Sequence, residues 1–267
     1  MNIISLGPTE LALASILVIA LAVISTLQQL GLAKKLLIAA ARTVIQLTLV
    51  GFVLKALFAT SDLFWISIVA FVMLSIAGRE VMYRQERRFS GIWGFGIGTT
   101  SMFLSSFFIT LLTLQFIITP TPWYTPQYSI PILGMMLGNT MNSISLGLDK
   151  MTHEAWREKG TIEARLLMGH SWQEAILPFR KAALRTSMIP TINAMAAVGL
   201  VSLPGMMTGQ ILAGNPPQTA VKYQILIMFM ITAGAGFGAM LATWLGAKRL
   251  FDDRHRLRLD RLQSSSQ

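Results

Sequence analysis

Between Leu36 and Arg185 the chain alternates apolar runs long enough to cross a bilayer with loops rich in Lys and Arg. A hydrocarbon core of roughly 30 Å takes about 20 apolar residues of helix to cross, and a segment inside it must satisfy its own backbone hydrogen bonds. Seven segments reach or approach that length, near residues 9–30, 35–58, 61–78, 95–118, 130–148, 187–213 and 220–247. The third and fifth are the shortest, so six spans is the alternative count. The fold class this predicts is all-α: a polytopic integral membrane protein with a single transmembrane domain over residues 1–250, an internal loop at 149–186 and a basic tail at 251–267. With 53% hydrophobic and 13% charged residues, a soluble domain would have to hide more apolar surface than such domains do.

The net charge of +10 is explained by where the basic residues lie. Under seven spans, alternate loops hold Lys34 and Lys35, then Arg79, Arg84, Arg87 and Arg88, then Lys150, Arg157, Lys159, Arg165, Arg180, Lys181 and Arg185, then the tail from Lys248 to Arg261. Only Arg42, Lys55 and Lys222 fall elsewhere. The positive-inside rule puts the loaded loops in the cytoplasm, the N-terminus outside and the C-terminus inside, as in a multi-pass protein of a bacterial inner membrane. Since that rule accounts for the charge and no aromatic platform is interleaved with it, no nucleic-acid partner is expected. The first ten residues carry no Lys or Arg, so the opening run lacks the n-region of a cleavable signal and is expected to remain as a span. The absence of cysteine excludes disulfides and thiol chemistry.

The connections expected outside are short. Pro120, Pro122 and Pro126 interrupt helix between Thr119 and Ser129 beside Trp123, Tyr124 and Tyr128, and Asn215, Pro216 and Pro217 make a tight turn after Gly214. The one substantial inner loop, Asp149 to Thr186, reads as a string of short helices: Gly160 as a stop, Thr161 as the next cap, Gly169 as a second stop, and Ser171 with Glu174 as a capping box. Its Ile162, Leu166, Leu167, Met168, Trp172, Ile176, Leu177 and Phe179 need cover from a protein partner or the membrane surface. The tail, alternating basic and acidic residues with Leu257, Leu259 and Leu262, reads as an anchor at an anionic leaflet, with Ser264 to Gln267 disordered.

The chemistry available is narrow. There is no G-x-x-x-x-G-K-[ST] phosphate loop, no H-E-x-x-H and no G-x-S-x-G. All twelve acidic residues fall in loops, at span ends or in the tail, whereas ion-coupled carriers bury such groups within their helices. His153, His170 and His255 read as scattered, solvated loop residues. What remains is a pathway former, not an enzyme, driven by another subunit.

Four segments carry a resemblance. Pro131-Ile-Leu-Gly-Met-Met-Leu-Gly-Asn-Thr140, Val198-Gly-Leu-Val-Ser-Leu-Pro-Gly-Met-Met-Thr-Gly209, Lys222-Tyr-Gln-Ile and Ala41-Arg-Thr-Val-Ile-Gln46 resemble the FetB-type iron-export permeases, with similar plant aluminium-tolerance permeases. The resemblance spans most of the chain and implies the membrane half of an ATP-binding-cassette transporter. ATP and Mg would then be bound by a separate cytoplasmic ATPase, with no cofactor on this chain. It also implies a role for the loop: Glu163 and Ala164, then Gly169, then Ile176-Leu177-Pro178 resemble a shortened E-A-A…G…I-x-L-P loop, the element with which importer permeases grip their ATPases. Arg165 replaces the second alanine and the gap from Gly169 to Ile176 is short, so ATPase contact is implied and importer geometry is not. Ser171, Trp172 and Glu174 belong to the same coupling segment.

Candidate pathway residues follow. Met135, Asn139 and Asn142, at spacings of four and three, share a face that Ser145 continues. Their amides serve either interhelical hydrogen bonds or the passage of a partly dehydrated divalent iron, for which amide oxygen and thioether sulfur are weak ligands. Arg42 and Gln46 lie one turn apart, with Arg42 either snorkelling to the interface or meeting an anionic or chelated substrate. Asn193 lies on the sixth span, which breaks at Pro204-Gly205, either as a gate or as a packing kink with Gly205 and Gly209 at GxxxG spacing. Gly134 with Gly138 and Gly234 with Gly238 mark close helix contacts, including contact across a homodimer. Sixteen methionines invite a Cu(I) reading, but Met206-Met207 and Met135-Met136 have no Cys or His beside them and Met is an adaptable filler, so packing accounts for them. The expected function is thus a permease subunit that exports iron. A membrane scaffold recruiting a cytoplasmic partner and an ion-coupled carrier are the alternatives.

Overall fold

The structure is a computed structural model that describes residues 7–60 and 62–264. Among the described residues there are nine helices: α1 (Pro8–Leu27), α2 (Ala33–Thr60), α3 (Leu63–Tyr83), α4 (Ile92–Ile118), α5 (Pro126–Arg157), α6 (Lys159–Leu167), α7 (Trp172–Ala197), α8 (Gly205–Leu212) and α9 (Pro217–Leu250). Five of them, α1 to α4 and α9, are long and apolar enough by length and composition to cross a membrane. The fifth and sixth expected spans lie on α5 and α7, whose ends carry charged turns. The all-helical reading holds, with one addition: β1 (Arg87–Phe89) pairs antiparallel with β2 (Leu262–Ser264), Phe89 opposite Leu262. Ser264 thus ends a strand, and residues 265–267 lie outside the described residues.

The chain divides into two compact units, one made of residues 1–62 with Leu212–Gly214 and the other of the remainder. In the first, α1 closes in a Schellman motif. Leu30 N–H donates to Ser25 O (2.9 Å) and Gln29 N–H to Thr26 O (3.1 Å), with Gln29 at a φ of 55° and Gly31 at 69° letting the chain turn into α2. The most apolar stretch of α2 has none of its residues buried by the protein. Such all-round apolar surface belongs in lipid.

In the second unit α5 is the central helix, packed against α3, α7 and α9. It starts at Pro126, earlier than the sequence suggested, because proline is favoured at a first helical position. Its Met136, Ile144, Leu148 and Met151 are buried, with Met136 against Gly234, Ile144 against Gly238, and Leu148 and Met151 against Gly246 of α9. Small residues let backbones approach where no hydrophobic drive separates helix from lipid. Gly234 and Gly238 serve this contact inside the chain: a methyl at Gly238 would lie 2.6 Å from Thr140 Cγ2 and 2.9 Å from Ser105 Oγ, and one at Gly234 would overlap Met136 Cε. By contrast a methyl at Gly138 meets nothing within 4 Å. Two π-helical turns, Phe103–Phe107 and Leu114–Ile118, interrupt α4, and within the first of them the buried Ser106 donates to Thr140 of α5 (3.1 Å).

The basic segments of this unit converge at one end, hereafter the basic end. Glu86 N–H donates to Asp149 Oδ1 (2.7 Å), Thr152 Oγ1 to Arg87 O (2.9 Å), and the Arg87 guanidinium lies 4.1 Å from the centre of the Trp156 ring. The strand pair joins the tail to the same place. Packing also revises the expected lipid anchor: Leu262 is buried, and Leu257 and Leu259 pack on the core.

Candidate functional site

Helix α5 does not stop at Leu148. Its charges pair along its own surface, Lys150 Nζ to Glu154 Oε1 (2.9 Å) and Arg157 Nη2 to Glu154 Oε1 (3.2 Å), so Asp149–Arg157 continues α5 where a separate short helix was expected. The hydrogen bond from Lys150 holds the Glu154 carboxyl below the usual carboxylate range. The chain reorients at Glu158 instead of Gly160: Glu158 N–H closes α5 on Glu154 O (2.8 Å) and Ile162 N–H opens α6 on Glu158 O (3.1 Å). Gly160 therefore lies inside α6, and Thr161 donates to the Glu158 carboxylate (3.2 Å) without capping a helix.

The second stop is where the sequence placed it. Gly169, at a φ of 89°, ends α6 in a Schellman motif, with Gly169 N–H on Leu166 O (3.0 Å) and His170 N–H on Arg165 O (3.2 Å). Ser171 and Glu174 form the expected capping box: Glu174 N–H donates to Ser171 Oγ (3.4 Å) and Ser171 N–H to Glu174 Oε2 (2.8 Å). That backbone donor, with the Ser171 hydroxyl, lowers the Glu174 carboxyl pKa. The box's stabilisation is therefore complete above the unfolded carboxylate range of about 4.3 and is lost as pH falls through the depressed value. Ser171→Ala removes the cap and costs about 1 kcal/mol, read as a lowered melting temperature at pH 7. That deficit shrinks at pH 3, where the wild-type box is itself weakened.

Only one short helix, α6, connects two long ones, so the expected string of short helices is revised. The apolar residues of the segment divide. Ile162 and Ile176 are buried, and Leu166, Trp172 and Phe179 pack against the core. Leu167 and Met168 stay 89% and 71% exposed on the rigid α6 terminus, beside exposed Glu163, Ala164 and Gly169. A groove of about 510 Å3 runs along this tip, lined by Glu163, Leu166, Leu167 and His170 on one side and by Arg254, His255, Arg256 and Leu257 on the other.

The tail wall of that groove went unrecognised in the sequence. Phe251 is buried and stacks on Trp172, with ring centres 5.7 Å apart, and His255 Nδ1 accepts from Trp172 N–H (3.1 Å), which satisfies an orphan donor at the start of α7. His255 is thus tied to the coupling segment, while His153 faces Glu86 (3.5 Å) and His170 faces Glu174 (3.8 Å). Apolar Phe251, Leu257, Leu259 and Leu262 in a charged tail were the available signal.

Met135, Asn139 and Asn142 share a face of α5, and both amides end on protein partners. Asn139 Nδ2 donates to Met135 O (2.8 Å), and Asn142 Oδ1 accepts from Arg84, which the sequence had placed among the loop charges. Asn193 is exposed on α7. None of these four lines the groove at the basic end or the cavity between α7, α8 and α9. Arg42 and Gln46 lie one turn apart on the exposed surface of α2, in the other unit.

The sixth expected span is broken over a longer stretch than Pro204-Gly205. Helix α7 ends at Ala197, and Val201 and Ser202 N–H groups fold back onto Ala197 O (3.0 and 3.2 Å) through Gly199 at a φ of 82°. Leu200 and Val201 project, 89% and 87% exposed. A methyl at Gly205 or Gly209 meets nothing within 4 Å, so their GxxxG spacing packs no helix of this chain among the described residues. Behind the break lies a cavity of about 400 Å3 lined by Met195, Val198, Gly199, Met207, Val221, Gln224, Ile225, Met228 and Phe229. Among the described residues no three His, Cys, Asp or Glu side chains gather where a metal ion could be held.

Long apolar helices, one unit exposing them nearly all round, and a polar end knitted from basic segments define a multi-pass helical membrane protein. The chain belongs to the uncharacterised protein family UPF0014, which matches residues 8–251. It is 38% identical to the UPF0014 membrane protein slr1647 of Synechocystis over 86% of this chain and 88% of that one. It is 32% identical to the probable iron export permease protein FetB of Escherichia coli over 98% and 99% of the two chains. The Protein ALUMINUM SENSITIVE 3 of Arabidopsis thaliana is 29% identical over 94% of this chain and 90% of its own. No solved structure matches the chain.

Proposed function

We propose that this protein is the membrane-spanning permease subunit of an ATP-binding-cassette transporter, exporting iron, and that its basic end docks a separate cytoplasmic ATPase. One observation carries the docking: Leu167 and Met168 stand exposed on a helix whose position is fixed by a Schellman motif, a capping box and the tail. Apolar side chains held that rigidly in water are suited to a partner's pocket. The substrate and direction rest on the likeness to the Escherichia coli relative. The basic end then faces the cytoplasm of a bacterial inner membrane and the N-terminus faces outside, with seven crossings in each copy of a homodimer. The partner binds ATP and Mg and performs hydrolysis, and this chain contributes no catalytic residue.

The test is co-expression with a cassette ATPase encoded beside it, followed by purification in lipid. The complex is expected to hydrolyse ATP and to respond to Fe(II) above Zn(II) or Mn(II). Changing Leu167 and Met168 together to Asp removes two anchors worth about 1.5–3 kcal/mol each, so ATPase affinity falls at least about a hundredfold while the melting temperature of the isolated chain stays put. Failure of any ATPase to bind, or uphill solute transport by the chain alone on a proton gradient, overturns the reading.

A further inference from the structure

The break after α7 creates a pocket whose chemistry the transport reading does not use. Three thioethers line the cavity of about 400 Å3, each from a different helix: Met195 from α7, Met207 from α8 and Met228 from α9. Gln224 lines the same cavity at 6% exposure, and its Oε1 is buried and accepts no hydrogen bond. A buried acceptor left without a donor is costly, and an ordered water or a cation can satisfy it. The Thr232 hydroxyl, bonded to Met228 O (2.8 Å), lies 2.9 Å from Met195 Sδ and fixes that sulfur in place. Met as plain filler explains a thioether in an apolar gap. It does not explain why three, from three different helices, line one cavity together with a glutamine whose buried oxygen has no donor.

The donor set selects the ion. Thioether sulfur and an uncharged amide oxygen, with no carboxylate, imidazole or thiolate in the lining, suit a soft monovalent d10 cation. Fe(II), Zn(II) and Mn(II) hold their water more tightly and take charged or imidazole ligands in preference. We propose that Met195, Met207 and Met228, with Gln224 Oε1, form a binding site for Cu(I), for which Ag(I) is a redox-stable probe. Binding ties the ends of the broken segment together, since the sulfurs stand on both sides of Val198–Pro204.

The experiment uses the full chain in detergent, without any ATPase, so its outcome is independent of the transport reading. Silver nitrate is titrated in chloride-free buffer and followed by calorimetry and by melting temperature. One saturable Ag(I) per chain and a raised melting temperature are expected, unchanged by a tenfold excess of Mn(II) or Zn(II). Leucine conserves the volume of methionine, so Met195→Leu, Met207→Leu and Met228→Leu should each keep the fold. Each is expected to weaken Ag(I) by more than the about 10–100-fold typical of losing a mere supporting partner. Met206→Leu, adjacent but outside the lining, leaves binding unchanged. Absence of a saturable site in the wild type, retention of full affinity by the three single variants, or displacement of Ag(I) by Zn(II) overturns the assignment.

Discussion

Gly238→Leu is expected to give no folded, monodisperse protein, and Gly238→Ala to lower the melting temperature clearly. At this position α9 meets α5 with no room for a side chain: a Cβ would fall 2.6 Å from Thr140 Cγ2 and 2.9 Å from Ser105 Oγ. Neither neighbour is the free end of a long side chain. Thr140 is fully buried and accepts from Ser106, and Ser105 donates back to Ser101 O (2.7 Å), so yielding means separating backbones. Overpacking of this kind costs about 1–3 kcal/mol for one methyl, and leucine adds three more carbons. Gly205→Ala, where a methyl meets nothing, serves as the control and should lose nothing. Size-exclusion profiles and thermal melts in detergent decide the matter, and a wild-type melt for Gly238→Leu would refute the α5–α9 seam.

Phe251→Ala should cost about 3–5 kcal/mol, the range for removing a buried aromatic ring. Phe251 is 4% exposed, stacks on Trp172 and bridges to Leu257, and its carbonyl accepts from Arg261 Nη1 (3.1 Å). Its loss frees the tail from the start of α7. Hydrogen exchange at Trp172–Ala175 should accelerate, because His255 Nδ1 no longer holds the Trp172 N–H. ATP hydrolysis by the proposed complex should fall with it, although residue 251 faces no partner. Unchanged exchange at the start of α7 would show that the tail does not brace it.

How far the sequence reached depends on how local each determinant is. The stop at Gly169 and the capping box at Ser171 and Glu174 were legible because three or four consecutive residues decide them. The persistence of α5 to Arg157 was not, since Lys150 and Glu154 look like loop charges until they are seen to pair across one turn. Arg84 was legible only as a loop charge because its partner Asn142 lies 58 residues away. The methionine cavity was hidden for a similar reason: Met195, Met207 and Met228 line one cavity only because the chain turns at Gly199, and counting neighbours along the sequence could not place them there. The positions of the long apolar helices α1 to α4 and α9, which composition sets, were legible to within a few residues at most ends.

Helix α7 runs unbroken for 26 residues, about 39 Å at 1.5 Å per residue, from the stack on Phe251 to the turn at Gly199. A rod of that length acts as a lever. In the proposed complex, force from the ATPase at Trp172 would arrive at the far end as displacement of the methionine-lined break, with no loop in between to absorb it. Pro178 and Pro190 each delete one backbone hydrogen bond along the shaft and so set where it can flex under load.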